Sequence, residues 1–187
     1  MTPADENECR RMLYTAVTLP GPSAVRYPRG QGPGAAIEER MTALEVGRAE
    51  LRREGRSGLA ILAFGSMVAP CAAIAERLDA SLVNMRFVKP LDAELVLRLA
   101  RTHECIVTVE ENVVAGGAGS AVGECLAEAG VERELHHVGI PDRYIEHGSR
   151  QDCLALAGLD AAGLAAQFER LWPARDGARA AARPLAV

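Results

Sequence analysis

Cys105-Ile-Val-Thr-Val-Glu-Glu-Asn-Val-Val-Ala-Gly-Gly-Ala-Gly-Ser-Ala-Val-Gly-Glu-Cys125 is the stretch whose reading decides the fold. Ile106 to Val109 is a short β-branched run, the pattern of a strand buried on both faces. Gly116, Gly117 and Gly119 then make a turn into an amphipathic helix expected from Ser120 to Ala129. A strand, a glycine turn and a helix suggest dinucleotide binding, but the spacing is wrong. The Gly117-x-Gly119-x-x run should close on Gly or Ala at position 122, where Val122 stands, and the glycines lie too far beyond the strand. The turn reads instead as a device that lets the helix pack closely on a sheet.

Working outward, strands and helices alternate. Val46 to Leu51 reads as a first strand, followed by the turn Glu54-Gly55-Arg56-Ser57-Gly58 and the apolar run Leu59 to Phe64. A helix is expected over Pro70 to Leu78 with Ala73, Ile74 and Leu78 inward, then a strand over Leu82 to Val88 with Val83, Met85 and Phe87 on one face. Asp92 suits the N-cap of a helix from Ala93 to Arg101. Leu135 to Val138 is the last strand. Helices over Arg150 to Leu156 and Asp160 to Leu171 close the pattern, with Asp160 as cap and Pro173 as stop. The alternation predicts an α/β fold of three layers, α/β/α, around a mostly parallel sheet.

Upstream, Ala4 to Ala16 reads as a helix capped by Thr2 or Asp5, with acidic residues early, basic residues later, and Met12, Leu13 and Ala16 on one face. Pro20-Gly-Pro22 breaks it, and Ser23 to Tyr27 reads as a strand stopped by Pro28 and Gly30. The expected organisation is a truncated end of another α/β domain at 1–30, a linker at 31–43, the main domain at 44–173, and a disordered tail at 174–187.

A chain of 187 residues with formal net charge -4 carries no basic excess, so neither nucleic acid nor an anionic membrane surface is expected as a partner. No apolar run reaches the length of a membrane span, and Thr2 to Arg11 is polar, so the cytoplasm is the expected compartment. The five cysteines form no C-x-x-C pair and read as small buried hydrophobes in a reducing environment.

Chemistry has few candidate carriers. Arg26 and Arg29 stand at the end of a strand, beside a rigid Pro-Arg-Gly turn, and suit bidentate capture of a phosphate or carboxylate or an ion pair across a domain interface. Arg86 falls in a buried strand and needs a partner. Glu110 and Glu111 are adjacent on a strand, point to opposite faces, and so cannot act on one atom; a cap or interface role is expected. His103, His136, His137 and His147 show no metal-ligand spacing, and His147 alone, in a loop, invites a functional reading.

Asp5-Glu-Asn-Glu-Cys-Arg-Arg-Met-Leu13, Gly21-Pro-Ser-Ala-Val-Arg-Tyr-Pro-Arg-Gly30, Asn84-Met-Arg-Phe-Val-Lys-Pro-Leu-Asp92, Val109-Glu-Glu-Asn112, Gly116-Gly-Ala-Gly-Ser-Ala-Val122 and Gly158-Leu-Asp-Ala161 together resemble the carboxyl-terminal part of the 1-deoxy-D-xylulose-5-phosphate synthase family. The resemblance runs in order from about Thr2 to Leu171. Some pieces are shared with transketolases and the β subunits of 2-oxo acid dehydrogenases; Arg26-Tyr-Pro-Arg-Gly30 separates the synthases from them. The resemblance implies a transketolase-type C-terminal domain preceded by the end of a pyrimidine-binding domain, with Met1 as an internal methionine of a longer protein. It implies a thiamine-diphosphate and Mg2+ enzyme that condenses pyruvate with glyceraldehyde 3-phosphate, releases CO2, and feeds isoprenoid, thiamine and pyridoxal synthesis. The family's Gly-Asp-Gly cofactor motif and activating glutamate are not in this sequence, so this chain alone is expected to bind no cofactor or metal and to be inactive. Arg29 matches the arginine that holds the substrate phosphate, with Arg26 as the alternative; Asn84 stands where the family often carries Asp. A homodimer or an upstream partner chain is implied. The other class of reading is a non-catalytic dimerisation or regulatory domain.

Overall fold

The computed structural model describes residues 1–173; the expected tail lies outside them. Five strands form one sheet: β1 (Glu50–Arg53), β2 (Leu59–Phe64), β3 (Ser81–Asn84), β4 (Cys105–Val113) and β5 (Glu134–Ile140). Their spatial order is β1-β3-β2-β4-β5, parallel throughout except for the antiparallel edge β1. The helices are α1 (Glu6–Thr18), α2 (Val68–Arg77), α3 (Ala93–Thr102), α4 (Ala118–Glu128), α5 (Arg150–Leu156) and α6 (Ala161–Leu171). The fold is the expected three-layer α/β arrangement.

β2 is the middle strand and is buried from end to end. Leu59, Ile61 and Ala63 face one layer with Cys71 and Ile74 of α2 and Leu164 and Phe168 of α6. Ala60, Leu62 and Phe64 face the other with Val96 and Leu99 of α3 and Val122 and Leu126 of α4. Each large aliphatic side chain so buried contributes roughly 1.5–3 kcal/mol. Local caps sharpen the helix starts: Asp92 accepts from Leu95 N–H, Asp160 from Gly163 N–H, and Asp5, not Thr2, accepts from Glu8 N–H.

Several expectations need correction. Ser23–Tyr27 is extended but is not a strand, because only Met1 offers it ladder bonds. The first strand is Glu50–Arg53, downstream of the expected Val46–Leu51, and both Val46 and Leu51 are exposed. β3 stops at Asn84, short of Val88, because the chain turns at Arg86 with φ of 57°. Val83, Met85 and Phe87 are buried as expected, but Phe87 sits in a separate small cluster with Met12 and Leu44. Ala73 of α2 faces outward while Cys71 and Ala75 face the core, and Leu13 of α1 is exposed where an inner face was expected. β4 is longer than read and carries Glu110 and Glu111 within it. All five cysteines are free, but only Cys71 and Cys105 are buried as expected, while Cys9, Cys125 and Cys153 are half-buried; burial pushes the Cys71 thiol up to about 12, which makes it inert.

α1 does not cover the sheet. It is held at the carboxyl end of β3 by a buried polar knot. The Glu8 side chain, 5% exposed, accepts from Ala4 N–H at 2.7 Å, from the Asn84 amide at 2.9 Å, and from Arg86 Nε at 2.6 Å. Arg86 also donates to Glu50 of β1 at 2.5 Å. The partner expected for Arg86 is therefore double. The knot also accounts for Asn84: only an amide there donates to Glu8, whereas an Asp would set a second carboxylate against the first.

Candidate functional site

The strand order reverses direction between β2 and β4, and ligands of open α/β sheets bind in the crevice at the carboxyl ends of such a pair. A cavity of about 290 Å³ lies there. Ser66 follows β2; Glu110, Glu111 and Asn112 belong to β4; Gly116 and Gly117 lead into α4; Arg26 and Pro28 reach in from the amino-terminal segment.

Glu110 is buried and accepts from Ala118 N–H at 2.7 Å and Gly119 N–H at 2.8 Å. A strand carboxylate thus supplies the cap that Gly117, the N-cap residue of α4, lacks. The glycines permit this approach. A Cβ on Gly117 would strike the Glu110 carboxylate and the Val113 carbonyl, and one on Gly119 would strike Thr108 Oγ1 and His137 Nδ1. The end of α4 that would attract a phosphate already holds an anion of this chain, which gives the failed glycine spacing a physical counterpart.

Glu111 faces the opposite side, as adjacent strand residues must. It is clamped by both nitrogens of an Arg150 fork and by Ser66 Oγ at 2.5 Å. Burial raises the Glu111 pKa, but the hydrogen bonds from Arg150 and Ser66 together outweigh it and hold the carboxyl below its ordinary value. Arg26 donates to the Glu111 carbonyl at 2.7 Å. Arg29 is exposed and, among the described residues, makes no ion pair; the next residue, Gly30, packs near the Arg150 side chain. The guanidinium groups of Arg26 and Arg150 thus meet at Glu111, and Arg29 lies three residues along the chain from Arg26. Sequence reasoning missed Arg150 and Ser66, because their link to Glu111 joins three separate elements.

His147 is exposed in the loop before α5. Cys105, Glu134 and His136 bring their donor atoms within 4.8 Å of one another, a cross-strand grouping invisible to sequence spacing. It lies at the amino ends of β4 and β5, away from the arginines, and His136 Nε2 is already 3.0 Å from Glu134. A diphosphate-bound Mg2+ needs free oxygen ligands, and the carboxylates nearest the arginines, Glu110 and Glu111, are both engaged. The residues present do not fit that cofactor.

A doubly covered, mainly parallel sheet with its crevice sealed by β4 glutamates is the frame into which the comparisons fall. Residues 47–164 match the family described as Transketolase, C-terminal domain, and the chain belongs to that family. More particularly, it is 62% identical over 164 residues to 1-deoxy-D-xylulose-5-phosphate synthase of Nitrosococcus oceani, covering 88% of this chain and 26% of that protein. It is 59% identical over 180 residues to the synthase of Thioalkalivibrio sulfidiphilus, covering 95% of this chain and 28% of that one. The chain therefore spans about a quarter of the length of these relatives. A solved structure described as a split gene transketolase, inactive beta4 tetramer, superposes with a TM-score of 0.78 at 31% identity, over 91% of this chain and 55% of that one. Among the described residues no helix is long and apolar enough to cross a membrane.

Proposed function

We infer that this chain is the C-terminal part of a cytoplasmic, thiamine-diphosphate-dependent 1-deoxy-D-xylulose-5-phosphate synthase, and that its chemical contribution is to hold the substrate phosphate. The observation that carries the reading is the 62% identity to the Nitrosococcus oceani synthase over 88% of the chain. Arg29 is exposed next to Pro28, which lines the crevice, and Arg26, the alternative, lines the crevice itself. A planar fork matches a phosphate dianion bidentately. Anchoring the phosphate of glyceraldehyde 3-phosphate, remote from the reacting carbonyl, turns binding energy into orientation.

Thiamine diphosphate supplies the carbanion chemistry when bound. With Glu110 on the α4 start and Glu111 on Arg150, neither carboxylate of the crevice is free for that cofactor, and the rest of the synthase is the partner that carries it. A role in association alone is the second reading, favoured by the similarity to a split transketolase chain described as an inactive tetramer.

The test is complementation. Mixed with the remaining portion of a relative's synthase, the chain should restore turnover, and Arg29→Ala should raise the KM for glyceraldehyde 3-phosphate about 10- to 100-fold while leaving that for pyruvate unchanged. If Arg26→Ala alone has that effect, the phosphate belongs to Arg26. Turnover by the isolated chain, or micromolar binding of thiamine diphosphate with magnesium to it, would defeat the reading.

A further inference from the structure

β4 and β5 run parallel, with Cys105 opposite Glu134 and Val107 opposite His136. Alternation then sets Cys105, Val107 and Val109 of β4 beside Glu134, His136 and Val138 of β5 on one face of the sheet. Towards the carboxyl end that face is apolar, and Val107, Val109 and Val138 pack in one cluster with Leu159, Leu164 and Phe168. At the amino end the same face of β5 carries an acid and an imidazole where the alternation would set apolar residues. Opposite them on β4 stands the buried Cys105. One donor atom from each of the three side chains lies within 4.8 Å of the other two. Among the described residues this is the one group of three potential metal ligands drawn so close.

The three donors differ in kind: a sulfur, a carboxylate oxygen and an imidazole nitrogen. Zinc accepts this mixture in tetrahedral sites, at about 2.3 Å from sulfur and about 2.0 Å from nitrogen or oxygen, so that its ligands lie roughly 3.5 Å from one another. His136 Nε2 and Glu134 Oε1 are already 3.0 Å apart, and their hydrogen bond keeps both side chains turned towards Cys105. The donors sit on strands, which hold a ligand set more firmly than loops do. Binding requires the thiol to give its proton to solvent and the imidazole to be neutral. One thiolate and one carboxylate then balance the charge of a divalent ion. The Glu134 side chain is 52% exposed and that of His136 34%, so the site opens to solvent on one side, where water can serve as the fourth ligand. A sulfur and nitrogen donor set selects against Mg2+ and Ca2+, which take oxygen ligands.

We propose that Cys105, Glu134 and His136 form a binding site for a thiophilic divalent cation of the zinc class, which pins the edge strand β5 to β4. β5 has β4 as its one neighbour in the sheet. A metal bound across the amino ends of the two strands closes that ladder where the apolar cluster gives out, and it stabilises the folded chain in step with its occupancy. The site lies at the opposite end of the sheet from the crevice of Arg26 and Glu111, and it does not depend on the synthase reading.

The experiment strips the full chain with a chelator under a phosphine reductant, titrates it with Co2+ and follows absorption, then adds Zn2+ in competition. A thiolate-to-cobalt charge-transfer band in the near ultraviolet should saturate at one equivalent. Zn2+ should displace it, and a hundredfold excess of Mg2+ should not. Cys105→Ala should abolish the band, and His136→Asn and Glu134→Gln should each weaken Co2+ binding at least tenfold. Should Cys105→Ala fail to fold, the other two variants, both at solvent-facing positions, carry the test. Zn2+ should raise the melting temperature of the wild-type chain and leave that of His136→Asn unchanged. The proposal is overturned if no charge-transfer band forms, or if Zn2+ does not raise the wild-type melting temperature. It is equally overturned if the band survives Cys105→Ala, or keeps its affinity in His136→Asn, since the metal would then sit on another cysteine.

Discussion

At the carboxyl rim of the five-stranded sheet, strong hydrogen-bonding groups are matched from within: Glu110 closes the start of α4, and Glu111 is held by Arg150 and Ser66. At the amino-terminal ladder, Arg26 and Ala24 are tied to Met1, and the next main-chain groups along the same edge make no hydrogen bond among the described residues. Both regions lie next to a helix start. The rim has filled its anion site with a side chain of its own; the ladder has left a backbone edge open. The difference teaches where hydrogen-bonding capacity is spent: at the α4 start it is taken up by Glu110, and beside Val25 it is taken up only by Met1 among the described residues.

The largest way to break this comparison is at the knot that joins the two regions. Glu8→Ala leaves Asn84 and one side of Arg86 without their buried acceptor, and removing one partner of a buried pair costs about 3 kcal/mol or more. Urea unfolding of the isolated chain should show that loss; a change within about 0.5 kcal/mol, the level of an ordinary surface substitution, would mean that α1 is not anchored as described.

Next is the closed rim itself. Glu110→Ala strips two buried N–H groups of a charged acceptor, a loss of about 2 kcal/mol. It also vacates the anion site, so sulfate should raise the melting temperature of the variant more than chloride does at equal ionic strength, with no such difference in the wild type. Equal responses in the two proteins would show that the α4 start is not an anion site at all.

The smallest effect is on pH. Burial lowers the His103 pKa from 6.5 despite a contact with the Leu99 carbonyl, and burial likewise lowers that of His137 against the pull of Glu110. A histidine whose folded pKa is depressed binds fewer protons folded than unfolded. Its contribution is therefore complete above the unfolded value and is lost as pH falls through the folded one. The histidine contribution should be level above pH 6.5 and decline below it. His137 lies under the closed rim, bonded to Thr108 at 2.7 Å, while His103 lies at the far end of the sheet, bonded to Ser81 at 2.8 Å. His103→Asn should flatten part of the decline, and a melting series from pH 7.5 to 5.5 that rises on acidification would contradict both assignments.

Much of the interior was legible because its signals are local. The unbroken apolar run Leu59 to Phe64 matches β2 residue for residue, and Asp92 and Asp160 cap the helices that follow them. The errors fall where the deciding partner is distant in sequence. Ser23 to Tyr27 has strand-forming residues but no neighbour beyond Met1, and a strand needs a ladder as well as a propensity. β1 carries Glu50, Arg52 and Arg53 and gives no apolar signal; it exists because β3 has an edge to pair. Arg86 takes φ of 57° because two acids from different segments pull on it. At the candidate site, Glu110 and Glu111 were readable as a pair with opposite directions, but Arg150 was not, since it lies 39 residues from Glu111.

The Glu8–Arg86 contact spans 78 residues of chain. Closing a loop of that length is slow and is rewarded only after β1 and β3 have brought Glu50 and Asn84 into place. α1 is therefore expected to attach after the sheet has formed, with its knot absent from the folding transition state. Weakening that knot should leave the refolding rate of the chain almost untouched and appear nearly whole in faster unfolding. What a single polar cluster sets in this protein is the lifetime of the folded state.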